Sequence, residues 1–316
     1  MKKGKKRVIV IVAAILAFLL LGSAVGMYFG AVAVYKGSFG HRYTTSPGQT
    51  FIMAQFPGLV RQRHTFRSNR NQELVGYLYG REDTEEAPKA VVVFAHGLGG
   101  GGQTGYMDIF NFLTQSGYYV FAYDATANDE SEGDAVGGLP QGYIDLDHAI
   151  DYVKTIEEVQ GLPMVLMGYS WGALSVSNVL NYHPEVEAVA AVAGFNKSMD
   201  LIAYQGAQRV GKVSKLLLPF AAVYEWVQFG RYAGSTAMDG FANSDCDVMI
   251  IHGKRDTTVP IEYGYETYFE KYGEDPRFTF KMFNIRGHAV LDYTNGNRDF
   301  TLLEDIAQFF DKSIAD

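Results

Sequence analysis

Six apolar runs of strand length recur along the chain: Ala90–Ala95 (AVVVFA), Tyr118–Tyr123 (YYVFAY), Met164–Met167, Val189–Ala193, Val248–Ile251 and Thr279–Phe283. They are apolar without alternation, so both faces need cover, as strands of a parallel sheet do. Segments of helix length separate or follow them: Tyr106–Ser116, Gly142–Glu158, Ala173–Tyr182, Tyr263–Tyr272 and Leu302–Lys312. Such alternation predicts an α/β fold, a mostly parallel central sheet with helices on both faces. Two earlier runs, Arg61–Arg67 and Leu74–Gly80, flank the polar stretch SNRNQE and predict an antiparallel pair.

One interval breaks the rhythm. Residues 196–241 separate two strands and contain Leu201, Leu216–Leu218, Phe220, Tyr224, Trp226, Phe229 and Tyr232. That is too long and too apolar for a plain loop, and predicts a small helical cap over the active-site end of the sheet.

The N-terminus is a separate matter. Residues 1–7 read MKKGKKR, and no charged residue follows from Val8 to Tyr35. A membrane-spanning helix needs about 20 apolar residues, and the basic flank predicts a cytoplasmic N-terminus with the rest of the chain outside. A cleaved signal peptide is the competing reading, with Val8–Leu21 as its apolar region and Gly22-Ser23-Ala24 as its cleavage site. The apolar character continues through Val25–Tyr35, which favours an uncleaved anchor. The expected layout is therefore a basic flank and transmembrane anchor over 1–35, a juxtamembrane linker over 36–58, and one catalytic domain over 59–316. If the anchor is cut, the protein is secreted.

Gly168-Tyr169-Ser170-Trp171-Gly172 has the form G-x-S-x-G, between a strand-length run and a helix-length segment. Glycines there permit a sharp strand-to-helix turn that pushes the serine hydroxyl into the open, at a helix N-terminus that favours an anion. Ser170 is thus the expected nucleophile. A serine hydroxyl needs a base. His288 lies just beyond the last strand, whereas His148 and His183 fall in helical segments, and His96 and His252 end strands before glycines. Asp256, after the strand Val248–Ile251, is the expected carboxylate that orients the base, with Asp245, Asp247 and Asp292 as rivals. The order serine, aspartate, histidine is the one such a fold uses. Acyl transfer also needs donors for a developing oxyanion. The N–H of Trp171 is one candidate and that of Leu98, in the glycine-rich run after Ala95, is the other. That run lacks a following Gly-Lys-Ser/Thr, so it does not read as a nucleotide loop.

The net charge is −8, and removing the five positive charges of residues 1–7 leaves −13. A surface so acidic repels phosphate backbones and argues against nucleic acid as a partner. The single cysteine, Cys246, excludes an internal disulfide and a paired-cysteine zinc site, and reads as a buried, inert thiol. No metal or organic cofactor is called for.

Taken together, HGLGG at 96–100, GYYVFAYDATANDESEG at 117–133, GYSWG at 168–172, IIHGKRDTTVP at 250–260 and RGHAVLDY at 286–293 resemble successive blocks of α/β-hydrolases. The flavour is that of the serine aminopeptidase-like and monoacylglycerol-lipase-like group, over roughly residues 60–312. The resemblance implies a triad of Ser170, Asp256 and His288 with an oxyanion hole at Leu98 and Trp171. The loop after Asp124 lacks that group's arginine and keeps only its Ser-x-Gly end, so the group's substrates do not carry over. The expectation is a membrane-anchored serine hydrolase cleaving carboxylic esters of a small-molecule or lipid-like acyl group. Amide or peptide hydrolysis by the same triad, and a non-catalytic binding module on the same fold, are the alternatives.

Overall fold

The computed structural model describes residues 2–315. Eight strands make one sheet: β1 Leu59–Arg67, β2 Glu73–Arg81, β3 Ala90–Ala95, β4 Tyr118–Tyr123, β5 Met164–Tyr169, β6 Ala188–Val192, β7 Asp247–Gly253 and β8 Phe278–Phe283. Their order across the sheet is β1-β2-β4-β3-β5-β6-β7-β8. β1 pairs antiparallel with β2 and β2 with β4, and every later pairing is parallel. Each apolar run of the sequence became a strand, and the pair around SNRNQE formed as expected.

The pleat divides the strands' side chains between two cores. On β3, Val91, Val93 and Ala95 join one cluster, while Ala90, Val92 and Phe94 join the other. The second cluster is covered by α2 (Met107–Gln115) and α9 (Phe300–Ser313), through Phe110, Leu113, Leu303, Ile306 and Phe310. The first is covered by α3 (Pro140–Val153) and α4 (Trp171–Asn178), through Leu146, Ile150, Leu174 and Val176. A strand buried on both sides must be apolar at every position, which is why these runs do not alternate.

At the N-terminus, α1 spans Lys2–Phe39, past the expected end at Tyr35. A 38-residue helix is about 57 Å long at 1.5 Å per residue, well beyond a hydrocarbon core of about 30 Å. Its first part is long and apolar enough to cross a membrane and touches nothing: Val8 to Leu21 are exposed. Its last turns dock on the domain, where Ala31, Tyr35 and Phe39 are buried.

The insertion between β6 and β7 is helical, as its length and apolarity predicted: α5 (Ser198–Val210), α6 (Ser214–Phe229) and α7 (Ala237–Ala242). None of its residues lines the cavity at Ser170 and His288. α6 lies against α1, where the Tyr35 and Tyr224 rings are 5.2 Å apart and the Tyr35 hydroxyl donates to Glu225 at 2.7 Å. α5 touches the site's flank through the Tyr204 hydroxyl, which donates to the Thr257 carbonyl at 3.1 Å.

Candidate active site

The turn between β5 and α4 carries Ser170 at φ 56° and ψ −109°. A side chain at positive φ costs roughly 1–3 kcal/mol and persists only where neighbours over-determine it. Here they do: the Ser170 N–H donates to Val192 O at 2.7 Å, and Ser170 O accepts from Leu174 N–H at 3.1 Å. The turn lifts the hydroxyl above the carboxyl edge of the sheet and leaves it partly exposed.

Two other strand ends deliver its partners. β7 and β8 pair in register as far as Gly253 and Phe283, so the loops that follow them start side by side. Arg255 N–H donates to Arg286 O at 2.9 Å and stitches those loops together. His288 Nε2 thereby lies 2.9 Å from Ser170 Oγ, and His288 Nδ1 lies 2.7 Å from Asp256 Oδ2. An ionised carboxylate only accepts, so Nδ1 carries the proton and Nε2 is the acceptor facing the hydroxyl.

Asp256 is fully enclosed, and burial alone would raise its carboxyl. Hydrogen bonds from His252, His288 and the Val259 N–H outweigh that and hold it far below the usual carboxylate range. Oδ1 accepts from Thr258 and Val259 N–H at 2.9 Å each. His252, which ends β7 before a glycine, sits behind the carboxylate and donates from Nε2 to Val259 O at 2.9 Å. His96 is likewise internal: Nε2 accepts from Ala125 N–H at 3.0 Å and Nδ1 donates to Gly97 O at 2.8 Å.

The β3–β5 register sets Ala95 beside Gly168, which brings the loop 96–102 alongside the serine turn. Leu98 lines the cavity around Ser170, and its N–H has no intramolecular acceptor among the described residues. Trp171 opens α4, where first-turn N–H groups lack intrahelical partners. Its indole is turned into the core and donates to Leu139 O at 2.8 Å, so its position at the site is a backbone one.

Three features escaped the sequence reading. The first braces the histidine loop: buried Arg286 pairs with buried Asp299 at 2.5 Å and donates to Val290 O at 2.8 Å. Second, the Tyr169 hydroxyl donates to His288 O at 3.0 Å. The RGH triplet contained the first signal, but its partner lies thirteen residues on. The third is the segment 41–56, expected to be linker. Its Thr45 N–H donates to Asp129 Oδ1 at 2.6 Å, Gly102 N–H donates to Thr45 Oγ1 at 3.0 Å, and Phe51 N–H donates to Thr104 O at 3.1 Å. Gly101, at φ 89°, lets the loop pass directly over Thr45, where a Cβ would collide with the Thr45 backbone.

That segment walls the pocket. The cavity at Ser170 and His288 measures about 530 Å³ and is lined by Gln49, Thr50, Phe51 and Gln55 on one side. Leu98, Tyr106, Tyr169, Leu291, Asp292 and Arg298 line the others, and no residue of 196–241 is among the lining residues. The aromatic side chains of the insertion therefore do not shape this cavity. Its far wall is charged: Arg298 pairs with Asp108 at 2.7 Å and with Asp292 at 2.8 Å.

Among the described residues, Asp147, Asp151 and His183 have metal-ligand spacing. Lys154 already fills that cluster, with Nζ 3.2 Å from His183 Nδ1 and 3.7 Å from Asp151. The charge is balanced by protein, and the group reads as an ion network. Cys246 is buried, as expected, and burial pushes its thiol up to about 11.

The family described as serine aminopeptidase, S33, matches residues 86–225, which include Leu98, Ser170 and Trp171. Solved structures of similar fold include an esterase of Pyrococcus furiosus, 17% identical with a TM-score of 0.65, over 87% of this chain and 99% of that one. Another is acetyl xylan esterase 1 of a Thermoanaerobacterium species, 15% identical with a TM-score of 0.59, over 80% and 84%. The acylaminoacyl peptidase of Pyrococcus horikoshii is 16% identical with a TM-score of 0.61, over 83% of this chain and 43% of that one. At such identities the likeness is one of fold. No curated protein sequence matches the chain. Sheet topology and structural likeness together show that the chain has the α/β-hydrolase fold, and residues 86–225 match the serine aminopeptidase family.

Proposed function

We propose that the protein is a membrane-anchored serine hydrolase that cleaves carboxylic esters through an acyl-enzyme. The observation that carries the reading is the continuous contact Ser170 Oγ–His288 Nε2, His288 Nδ1–Asp256 Oδ2, at 2.9 and 2.7 Å. Ser170 Oγ attacks the substrate carbonyl while His288 Nε2 takes the hydroxyl proton. Asp256 holds the tautomer and stabilises the imidazolium. Leu98 and Trp171 N–H groups receive the oxyanion. His288 then gives the proton to the leaving oxygen, and water activated by the same imidazole clears the acyl group from Ser170.

The pocket narrows the substrate. About 530 Å³ bounded by Gln49, Thr50, Gln55, Asp292 and Arg298 suits a short or partly polar acyl group better than a long alkyl chain. The esterases among the structures of similar fold are consistent with ester cleavage. α1 would hold the domain at a membrane, with the basic N-terminus on the cytoplasmic side and the catalytic domain outside.

A fluorophosphonate probe tests the chemistry. It should label the wild-type chain at Ser170 and fail on Ser170→Ala, with labelling and turnover lost together. A folded wild-type chain that resists the probe would make the domain a binding module instead. p-Nitrophenyl esters and aminoacyl amides offered side by side then test the leaving group: turnover of amides alone rejects the ester reading.

The segment 41–56 gives a second expectation. Phe51→Ala opens the pocket wall without touching the triad, so kcat/KM for short esters should fall roughly tenfold, mainly through KM. Longer acyl chains should lose less. Steady-state kinetics across an acyl series checks this, and equal losses at every length would remove Phe51 from the acyl-binding wall.

A further inference from the structure

The helical insertion exposes a face that neither the sheet nor the pocket uses. Val210, Val213, Leu216, Val223, Trp226 and Val227 are each more than half exposed. On α6, Leu216, Pro219, Val223 and Trp226–Val227 recur every three to four residues and form one stripe. Another side of the same helix is occupied: Ala221, Tyr224 and Glu225 are buried, with Tyr224 and Glu225 against Tyr35 of α1. A bare apolar stripe of this size on a soluble surface calls for a partner.

Two observations say which partner. The first is charge. Arg209, Lys212 and Lys215 are exposed at the α5–α6 turn, and no acidic residue lies between Leu201 and Tyr224. Glu225 is buried and takes hydrogen bonds from Tyr35 and Ser198. This stretch is basic in a chain of net charge −8. The second is continuity. α6 packs alongside the part of α1 that leaves the exposed apolar stretch and enters the domain, so a bilayer crossed by α1 would lie next to α6.

We propose that α6 and the turn before it rest on the anionic phospholipid surface of the bilayer that α1 crosses. This inference builds on the reading of α1 as a membrane helix. Leu216, Val223, Trp226 and Val227 dip below the headgroups, as an interfacial amphipathic helix does. The stems of Arg209, Lys212 and Lys215 lie over the apolar layer while their charges reach phosphates. With two attachments, the domain can no longer turn freely about the α1 axis.

The chain holds two tryptophans, Trp171 in the core and Trp226 on this face, so Trp226 reports directly. The full-length protein is placed in phosphatidylcholine vesicles containing phosphatidylglycerol, with brominated acyl chains as quenchers. Trp226 emission should shift to the blue and be largely quenched, and Trp226→Phe should remove the quenchable component. Leu216→Asp with Val223→Asp should abolish quenching while leaving thermal unfolding and hydrolysis of a soluble ester unchanged. Each basic residue at an anionic surface strengthens attraction roughly fivefold, so Lys212→Glu with Lys215→Glu should erase the difference between phosphatidylglycerol-containing and purely zwitterionic vesicles.

Trp226 open to aqueous acrylamide and untouched by bromolipid would overturn the proposal. Shielding from both quenchers would also overturn it, in favour of a second copy on this face. Alkaline carbonate extraction reads α1 independently. Release of the chain with Trp226 still quenched rejects the anchor and leaves the surface contact standing, and retention with Trp226 unquenched does the reverse.

Discussion

His288→Ala lowers kcat about 10⁴- to 10⁶-fold, the range seen when the base of a serine triad is removed, with little change in KM or in melting temperature. The rate falls because nothing else stands ready to take the Ser170 proton. Nε2 is 2.9 Å from Oγ, and the nearby carboxylate, Asp256, reaches the serine only through the imidazole. Stability is spared because the imidazole is partly exposed and makes its contacts at the site. The brace of that loop, Arg286 with Asp299 and Val290 O, does not involve the ring. Kinetics on a soluble p-nitrophenyl ester beside calorimetry makes the check. Loss of less than about a hundredfold would mean that another base serves Ser170, because a general base contributes roughly 10²–10⁴ on its own.

Gly172→Ala should cost both stability and rate. An added Cβ would run into the Ala95 carbonyl and come within 2.9 Å of His96 O, both of them backbone atoms. No side chain can swing aside, so the serine turn must move away from β3. Overpacking of this kind costs about 1–3 kcal/mol, and a shift of about 1 Å in a catalytic group costs on the order of 10²-fold in rate. The expected result is a lower melting temperature together with a fall in kcat of about two decades. Gly234→Ala is the control, since a Cβ there meets nothing within 4 Å. A fully active, equally stable Gly172→Ala would show that the turn does not depend on close approach of β3.

Both expectations rest on features visible in the sequence to different degrees. The pentapeptide 168–172 announced a sharp turn because glycine on either side of a serine, between an apolar run and a helix-length segment, has few other uses. His288 and Asp256 could be selected because each follows a strand, and the parallel strands' carboxyl ends share one edge. Those inferences need only local pattern and the direction of the chain. The Asp129–Thr45–Gly102 clamp is different: its hydrogen bonds join positions 84 and 57 residues apart. Nothing in TTSPGQTF distinguishes a pocket wall from a spacer until the loops at 96–104 and 124–130 are folded beneath it. The insertion's packing partner was equally hidden. Its aromatic content marks it as packed, but composition is silent about which surface it packs on.

The sequence by itself determined the sheet, the serine turn and the order of the three polar residues, because periodicity, glycine placement and chain direction are properties of the chain alone. Tertiary structure decided the rest. It placed Ser170, His288 and Asp256 at 2.9 and 2.7 Å, set 41–56 as the pocket wall, and laid α6 along α1. These outcomes depend on which distant surfaces bury each other best, and that balance is settled only when the whole chain is folded.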